Sequence, residues 1–196
     1  MFRRVMVAVV VAGAAAAIPT GVAEAKAKPC QMKGSRTLLA SSKVRVYEVG
    51  DLDRTVYGCL RSTGKRKAVA SYSSCDCSVG DDPTPQVWVS REALAVNSYG
   101  CPPPGLGDCA GSVSSFDLRK RVRKYHDTVP KGFVAQLVLM PNGSFAYIGG
   151  DTVRKADGAG AGELDPGPAI ENGSLARAGS IVYWTKAGQP FSARLQ

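Results

Sequence analysis

Gly143-Ser144-Phe145-Ala146-Tyr147-Ile148 and Gly179-Ser180-Ile181-Val182-Tyr183-Trp184 share one pattern, a glycine turn that launches an apolar strand at the same phase. Side chains of a strand alternate between its two faces, so such a phrase marks a half-buried or fully buried strand. Recurrence within one chain marks a repeat array, in which each copy forms one small sheet and buries its faces by stacking on the next.

Laid in phase, the units place Val44, Leu94, Phe145 and Ile181 at equivalent positions, with steps of 50, 51 and 36 residues between them. A strand precedes each: Leu38-Leu39-Ala40, Val87-Trp88-Val89, Leu137-Val138-Leu139 and Leu175-Ala176-Arg177. Short turns such as Pro141-Asn142-Gly143 join these strands to the next as hairpins. A third strand follows in each unit, at Val56–Leu60, Val113–Asp117, Val153–Asp157 and Phe191–Leu195. A fourth is expected in unit one over Lys67–Ala70, and in units two and three beyond Arg119-Lys120-Arg121 and beyond Asp157. No segment carries a 3.6-residue apolar stripe, so helix content should be low.

Three or four antiparallel strands per unit is the pattern of a propeller blade. The expectation is an all-β chain of four propeller-like antiparallel repeats, a small or incomplete β-propeller, with a two-sheet β-sandwich as the alternative. The last unit reaches Gln196 soon after its third strand, which leaves ring closure open and sheet edges to be covered by residues 26–36 or by a second copy. The pattern resembles that of uncharacterised secreted proteins of soil bacteria with propeller-like repeats of the WD and Tol-translocation type. This resemblance covers about residues 37–196 and rests on the Gly-Ser-led strand, Tyr57-Gly58-Cys59-Leu60 and the closing Tyr183-Trp184-Thr185. It implies blade architecture, and the missing Gly-His and Trp-Asp pairs mean that no function of the WD type is carried over.

The amino terminus reads as an export signal. Arg3 and Arg4 precede an uncharged run of 14 residues from Val5 to Ile18, and Ala23-Glu24-Ala25 suits a signal peptidase acting after Ala25. A hydrocarbon-spanning helix needs roughly 20 strongly apolar residues, so an uncleaved anchor is the weaker alternative. No later segment is long and apolar enough to cross a membrane as a helix, and Cys30 lies too far from the cleavage point for a lipoprotein anchor. The domain plan is therefore a signal peptide over 1–25, an extension over 26–36 and one β domain over 37–196. Removing 25 of the 196 residues leaves 171, and removing the segment's net single positive charge takes the chain from +9 to +8. A basic surface of this size suits anionic polymers.

All six cysteines, Cys30, Cys59, Cys75, Cys77, Cys101 and Cys109, lie in the exported part. An even count in an oxidising compartment implies disulfides, with 15 possible connectivities for six cysteines. The stiff Pro102–Asp108 loop suggests a Cys101–Cys109 bridge, with Cys75 and Cys77 bonding separately to Cys30 and Cys59. Cys75-Asp76-Cys77 lacks zinc-knuckle spacing, and no metal or other cofactor is expected.

Candidate chemistry is sparse. His126 is the only histidine, and no G-x-S-x-G elbow supplies it with a nucleophile. The carboxylate pairs Asp51 with Asp53, Asp81 with Asp82 and Glu163 with Asp165 are all expected in loops, where acids commonly hold turns. Neither Gly80-Asp81-Asp82 nor residues 157–165 shows EF-hand spacing for calcium, and Gly158–Gly162 lacks the lysine and helix of a phosphate cradle.

Two basic clusters stand out. Arg61, Lys65, Arg66 and Lys67 flank one turn, and Arg119, Lys120, Arg121, Arg123 and Lys124 flank the equivalent turn of the next unit. On the repeat alignment both project from the same side of adjacent units, as a patch for anionic polymers of the cell envelope. The plainer reading is that they are solvated hairpin tips that oppose edge pairing. Aromatic stacking platforms for nucleic acid are not interleaved with them. The expected function is an exported, disulfide-stabilised, non-enzymatic binding module. Its alternatives are a secreted hydrolase using loop carboxylates and an envelope-structural subunit that dimerises.

Overall fold

A computed structural model of the chain describes residues 30–73, 84–100, 110–129 and 134–196. The described residues form four separate antiparallel sheets and no helix. The first sheet contains β1 (Arg36–Ala40), β2 (Val44–Val49), β3 (Asp53–Leu60) and β4 (Arg66–Ser73). The second contains β5 (Gln86–Ser90), β6 (Ala93–Gly100), β7 (Ala110–Asp117) and β8 (Val122–Val129). The third contains β9 (Gln136–Leu139), β10 (Phe145–Gly149), β11 (Thr152–Asp157) and β12 (Gly160–Asp165). The fourth has three strands, β13 (Ala176–Ala178), β14 (Ile181–Lys186) and β15 (Gln189–Arg194). Each sheet runs in simple sequential order, as hairpin-linked strands should. Every strand read from the sequence is present, and four sheets in place of two set aside the sandwich.

Local chemistry explains the turns. At the β9–β10 turn Gly143 takes φ 95°, its N–H donates to the Met140 carbonyl at 3.0 Å, and Ser144 N–H donates to Asn142 Oδ1 at 3.0 Å. Glycine reaches that backbone region without the steric cost a Cβ imposes. Ala187 and Gly188, at φ 49° and 74°, make the tight β14–β15 hairpin between Lys186 and Gln189.

Three apolar cores lie between consecutive sheets. Val44, Val46, Val56 and Leu60 of the first sheet meet Leu94, Phe116 and Leu118 from the second. Ala93, Ala95 and Val113, on the opposite face of the second sheet, meet Leu137, Leu139, Phe145 and Tyr147 of the third. Ala146, Ile148 and Val153 of the third then meet Val182 and Trp184 of the fourth. The two middle sheets are thus apolar on both faces. Gly58 is glycine for this packing: a Cβ there would sit 2.6 Å from a Leu94 methyl and 2.7 Å from a Leu118 methyl.

The packing corrects the repeat phase. Val44 faces the following sheet, whereas Leu94 and Phe145 face the preceding one, and Ile181 points away from the third sheet on the side opposite Val182. The structural equivalents of Val44 are therefore Ala93, Ser144 and Ile181, one residue earlier in the middle two units. A slip of one residue exchanges the faces of a strand, and where both faces are apolar the sequence pattern does not register it.

The outer face of the first sheet is covered by residues 30–35. Arg45 draws them across it, donating to the Cys30 carbonyl at 2.5 Å and to Ser35 Oγ at 3.1 Å. Cys30 then bonds to Cys59 of β3, beside buried Tyr47. This pairing replaces the expected bonds of Cys30 and Cys59 to Cys75 and Cys77, because Cys59 points to the face on which the extension lies. Closing a loop across a separation of 29 residues stabilises the fold by about 3.6 kcal/mol in the chain-entropy account. Cys75, Cys77, Cys101 and Cys109, with the expected Cys101–Cys109 bridge, lie outside the described residues, as do the signal segment over 1–25, Asp81 and Asp82.

Candidate binding surface

The two basic clusters occupy the hairpins that join the third and fourth strands of consecutive sheets. In the β3–β4 hairpin, Gly64 N–H donates to the Leu60 carbonyl at 2.8 Å and Leu60 N–H to the Lys65 carbonyl at 2.9 Å, with Gly64 at φ 67°. Arg61, Lys65 and Arg66 are exposed and Lys67 is half-buried. In the β7–β8 hairpin, Lys120 N–H donates to Asp117 Oδ1 at 2.9 Å, and Arg121 takes the left-handed conformation at φ 60°. Arg119, Lys120, Arg121, Arg123 and Lys124 are all exposed.

Of these cations only Arg119 is ion-paired among the described residues. It forms a two-pronged contact to Glu92, at 2.9 and 3.0 Å, which holds the Glu92 carboxyl below its usual range. These residues, with Asp117, Pro141 and Asn142, line a groove of about 230 Å³. Arg66 reaches Met32 Sδ at 3.8 Å, and Lys124 lies 5.6 Å from the ring centre of its neighbour Tyr125. The stem of Lys124 also packs beside Gly143, whose missing Cβ would sit 3.4 Å from it. Among the described residues no carboxylate pairs with Arg61, Lys65, Arg66, Lys67, Lys120, Arg121, Arg123 or Lys124.

Cations between the sheets behave differently. Arg154 of β11 clasps Asp127 of β8 at 2.9 and 3.2 Å, and the Tyr147 hydroxyl donates to the same carboxylate at 2.8 Å. Burial, reinforced by Asp127, raises the Tyr147 phenol well above its ordinary value, and the Asp127 contact raises Arg154. Across the next junction Lys186 and the Trp184 indole N–H, both of β14, donate to Asp165 of β12 at 2.6 and 2.8 Å. The Lys186 hydrogen bond lowers the Asp165 carboxyl against the effect of burial. Glu48 is buried within the first sheet, where Tyr72 donates to it and Arg36 and Arg54 approach at 2.6 and 3.2 Å. Burial pushes its pKa up, and these contacts bring it below the usual range.

The other candidate groups find structural partners. Asp53 on β3 and Glu163 and Asp165 on β12 are strand residues and not the loop acids expected. Asp53 accepts from Ser73 at 2.5 Å, Asp51 offers its carbonyl to Arg54, and Glu163 lies 3.8 Å from Arg154 while Asp165 faces the fourth sheet. Glu163 and Asp165 therefore do not converge on one cleft. His126 Nδ1 lies 3.0 Å from Ser114 Oγ, its directly opposed residue across β7 and β8. Sequence reading missed Ser114, and the alternation of β7 against β8 is the signal that would have found it. No carboxylate orients the other nitrogen of that ring among the described residues, so the contact stands as a cross-strand pair.

First strands of all four sheets converge on one further cleft of about 360 Å³, which includes Leu39, Trp88, Leu137, Leu139 and Arg177. Apolar side chains and main-chain groups both line it, and Arg177 is its one charged lining residue among the described residues. No protein-family model matches the chain, and no curated protein is significantly similar to it.

Proposed function

We propose that this protein is an exported, non-enzymatic binding module whose β3–β4 and β7–β8 hairpins hold an anionic polymer of the cell envelope, on a scaffold arranged as a small or incomplete β-propeller. The observation that carries the reading is that eight exposed or half-exposed cations on equivalent hairpins of consecutive sheets have no carboxylate partner among the described residues, while cations at the sheet junctions do. Unneutralised cations on rigid hairpins favour polyanions electrostatically, without any need for shape readout.

Arg121 adds a second argument. The equivalent hairpin places Gly64 in the left-handed region, but here an arginine occupies it at φ 60°. An L-residue pays roughly 1–2 kcal/mol to sit there, so a cation is kept where glycine suits the backbone better. The Arg3, Arg4 and Ala23–Ala25 pattern and a disulfide of the kind that persists in oxidising compartments support export. Convergence of the four first strands on one cleft supports the propeller-like arrangement.

The test is co-sedimentation of the oxidised protein with isolated bacterial envelope fractions across a salt series. The bound fraction should fall steeply with salt and should be lost when Lys120, Arg121, Arg123 and Lys124 are changed to Gln. Absence of binding at low salt, or binding indifferent to those changes, would refute the reading.

A further inference from the structure

Among the described residues the first three sheets carry a fourth strand, and the fourth sheet has three. Beside β15, where β4, β8 and β12 lie in the other sheets, no strand is paired among the described residues. The hairpin fixes which main-chain groups face that open side. In a two-residue hairpin the flanking residues exchange hydrogen bonds, so Lys186 and Gln189 form such a pair, as do Trp184 with Phe191 and Val182 with Ala193. Leu195 N–H donating to the Ser180 carbonyl at 2.9 Å continues the same phase. Pro190, Ser192 and Arg194 therefore turn their main-chain groups outward, Pro190 offering only a carbonyl. On the face beside them Phe191 is 43% exposed and stacks on Trp184 at 6.2 Å, with Ala193 half-buried next to it.

We infer that this edge pairs with the same edge of a second copy of the chain, antiparallel about a two-fold axis at Ser192, so that the two three-stranded sheets become one continuous sheet. Each Ser192 N–H then donates to the partner's Ser192 carbonyl, and each Arg194 N–H to the partner's Pro190 carbonyl. Pro190 sits where its missing donor costs least, at the rim of the pairing. In this register Phe191 lies against the partner's Ala193, covering ring surface that one copy leaves in water. The two Arg194 side chains lie at opposite ends, each across from a proline. Sliding one copy far enough in one direction sets Arg194 against the partner's Arg194, and in the other it sets Pro190 against the partner's Pro190, where neither has a donor. The register is thus self-complementary, as a two-fold interface requires.

Size-exclusion chromatography with light scattering, on the oxidised protein over a concentration series, tests this directly. A dimer that dissociates on dilution is expected, weakened on the order of 30-fold by Ser192→Pro, which removes the central donor from both copies. Phe191→Lys should weaken it too while leaving the backbone edge intact, which covers the case in which the proline variant fails to fold. Hydrogen exchange at the Ser192 and Arg194 amides should be slow in concentrated protein and fast on dilution. A monomer at every concentration, or a dimer that survives Phe191→Lys with both amides exchanging freely, would overturn the proposal.

Discussion

The junction between the second and third sheets and the β7–β8 hairpin belong partly to the same strand, β8, yet they treat charge in opposite ways. Asp127, near the far end of β8, is buried and takes two contacts from Arg154 and one from Tyr147. Arg121, Arg123 and Lys124, at the hairpin end, are exposed and have no carboxylate partner among the described residues. A buried charge must be matched because desolvation is costly. An exposed one is hydrated and contributes little to stability. The charges at the junction therefore belong to the fold, and those at the hairpin are available to something outside it.

The strongest way to break this contrast is Asp127→Ala. It leaves Arg154 partly buried with only Glu163, at 3.8 Å, as a distant substitute, and should cost about 3 kcal/mol of stability in urea unfolding. Envelope binding in the remaining folded protein should be unchanged, whereas a parallel loss of binding would mean that the two regions are coupled.

Acid separates the regions next. Asp165 is held low by Lys186 and Trp184, and Asp157 by hydrogen bonds from Gln196, Lys155 and Ala159 that outweigh its burial. Carboxyls with lowered folded pKa values stabilise the fold fully above the unfolded value of about 3.9, and that stability is lost as pH falls through the lower folded values. Melting temperatures should stay level from neutral pH to about 5 and drop below about 4, and Asp165→Asn should flatten the drop. A fall beginning near neutrality would point to other groups.

Changing Lys120, Arg123 and Lys124 together to Gln should leave stability within about 0.5 kcal/mol of the parent while weakening envelope binding. A marked destabilisation would place these residues among the structural charges. The smallest effect concerns Arg121→Gly, which relieves a left-handed arginine at the expense of chain entropy and should change stability by less than about 0.5 kcal/mol, in the favourable direction. Thermal melts paired with the binding assay would show the two properties moving in opposite senses.

Much of this was legible in the chain. Val44–Val49, Phe145–Gly149 and Ile181–Lys186 were readable as strands, and Pro141-Asn142-Gly143 as a turn, because period-2 alternation and glycine at positive φ are local properties. Both basic clusters fell on hairpins for the same reason. Facing direction was not local. Leu94 and Phe145 sit in sheets apolar on both sides, and only contact with the preceding sheet shows that they are one residue out of step with Val44.

The sequence by itself therefore determined the strands, the turns, the number of sheets and the placement of the hairpin cations, all set by interactions within a few residues. Tertiary structure alone decided that Cys59 bonds Cys30, that Arg154 and Lys186 are matched by carboxylates of neighbouring sheets, and that β15 has no strand on its outer side among the described residues. Those outcomes depend on which surfaces are brought together after the strands form, and burial there sets the cost of every unmatched charge and main-chain group.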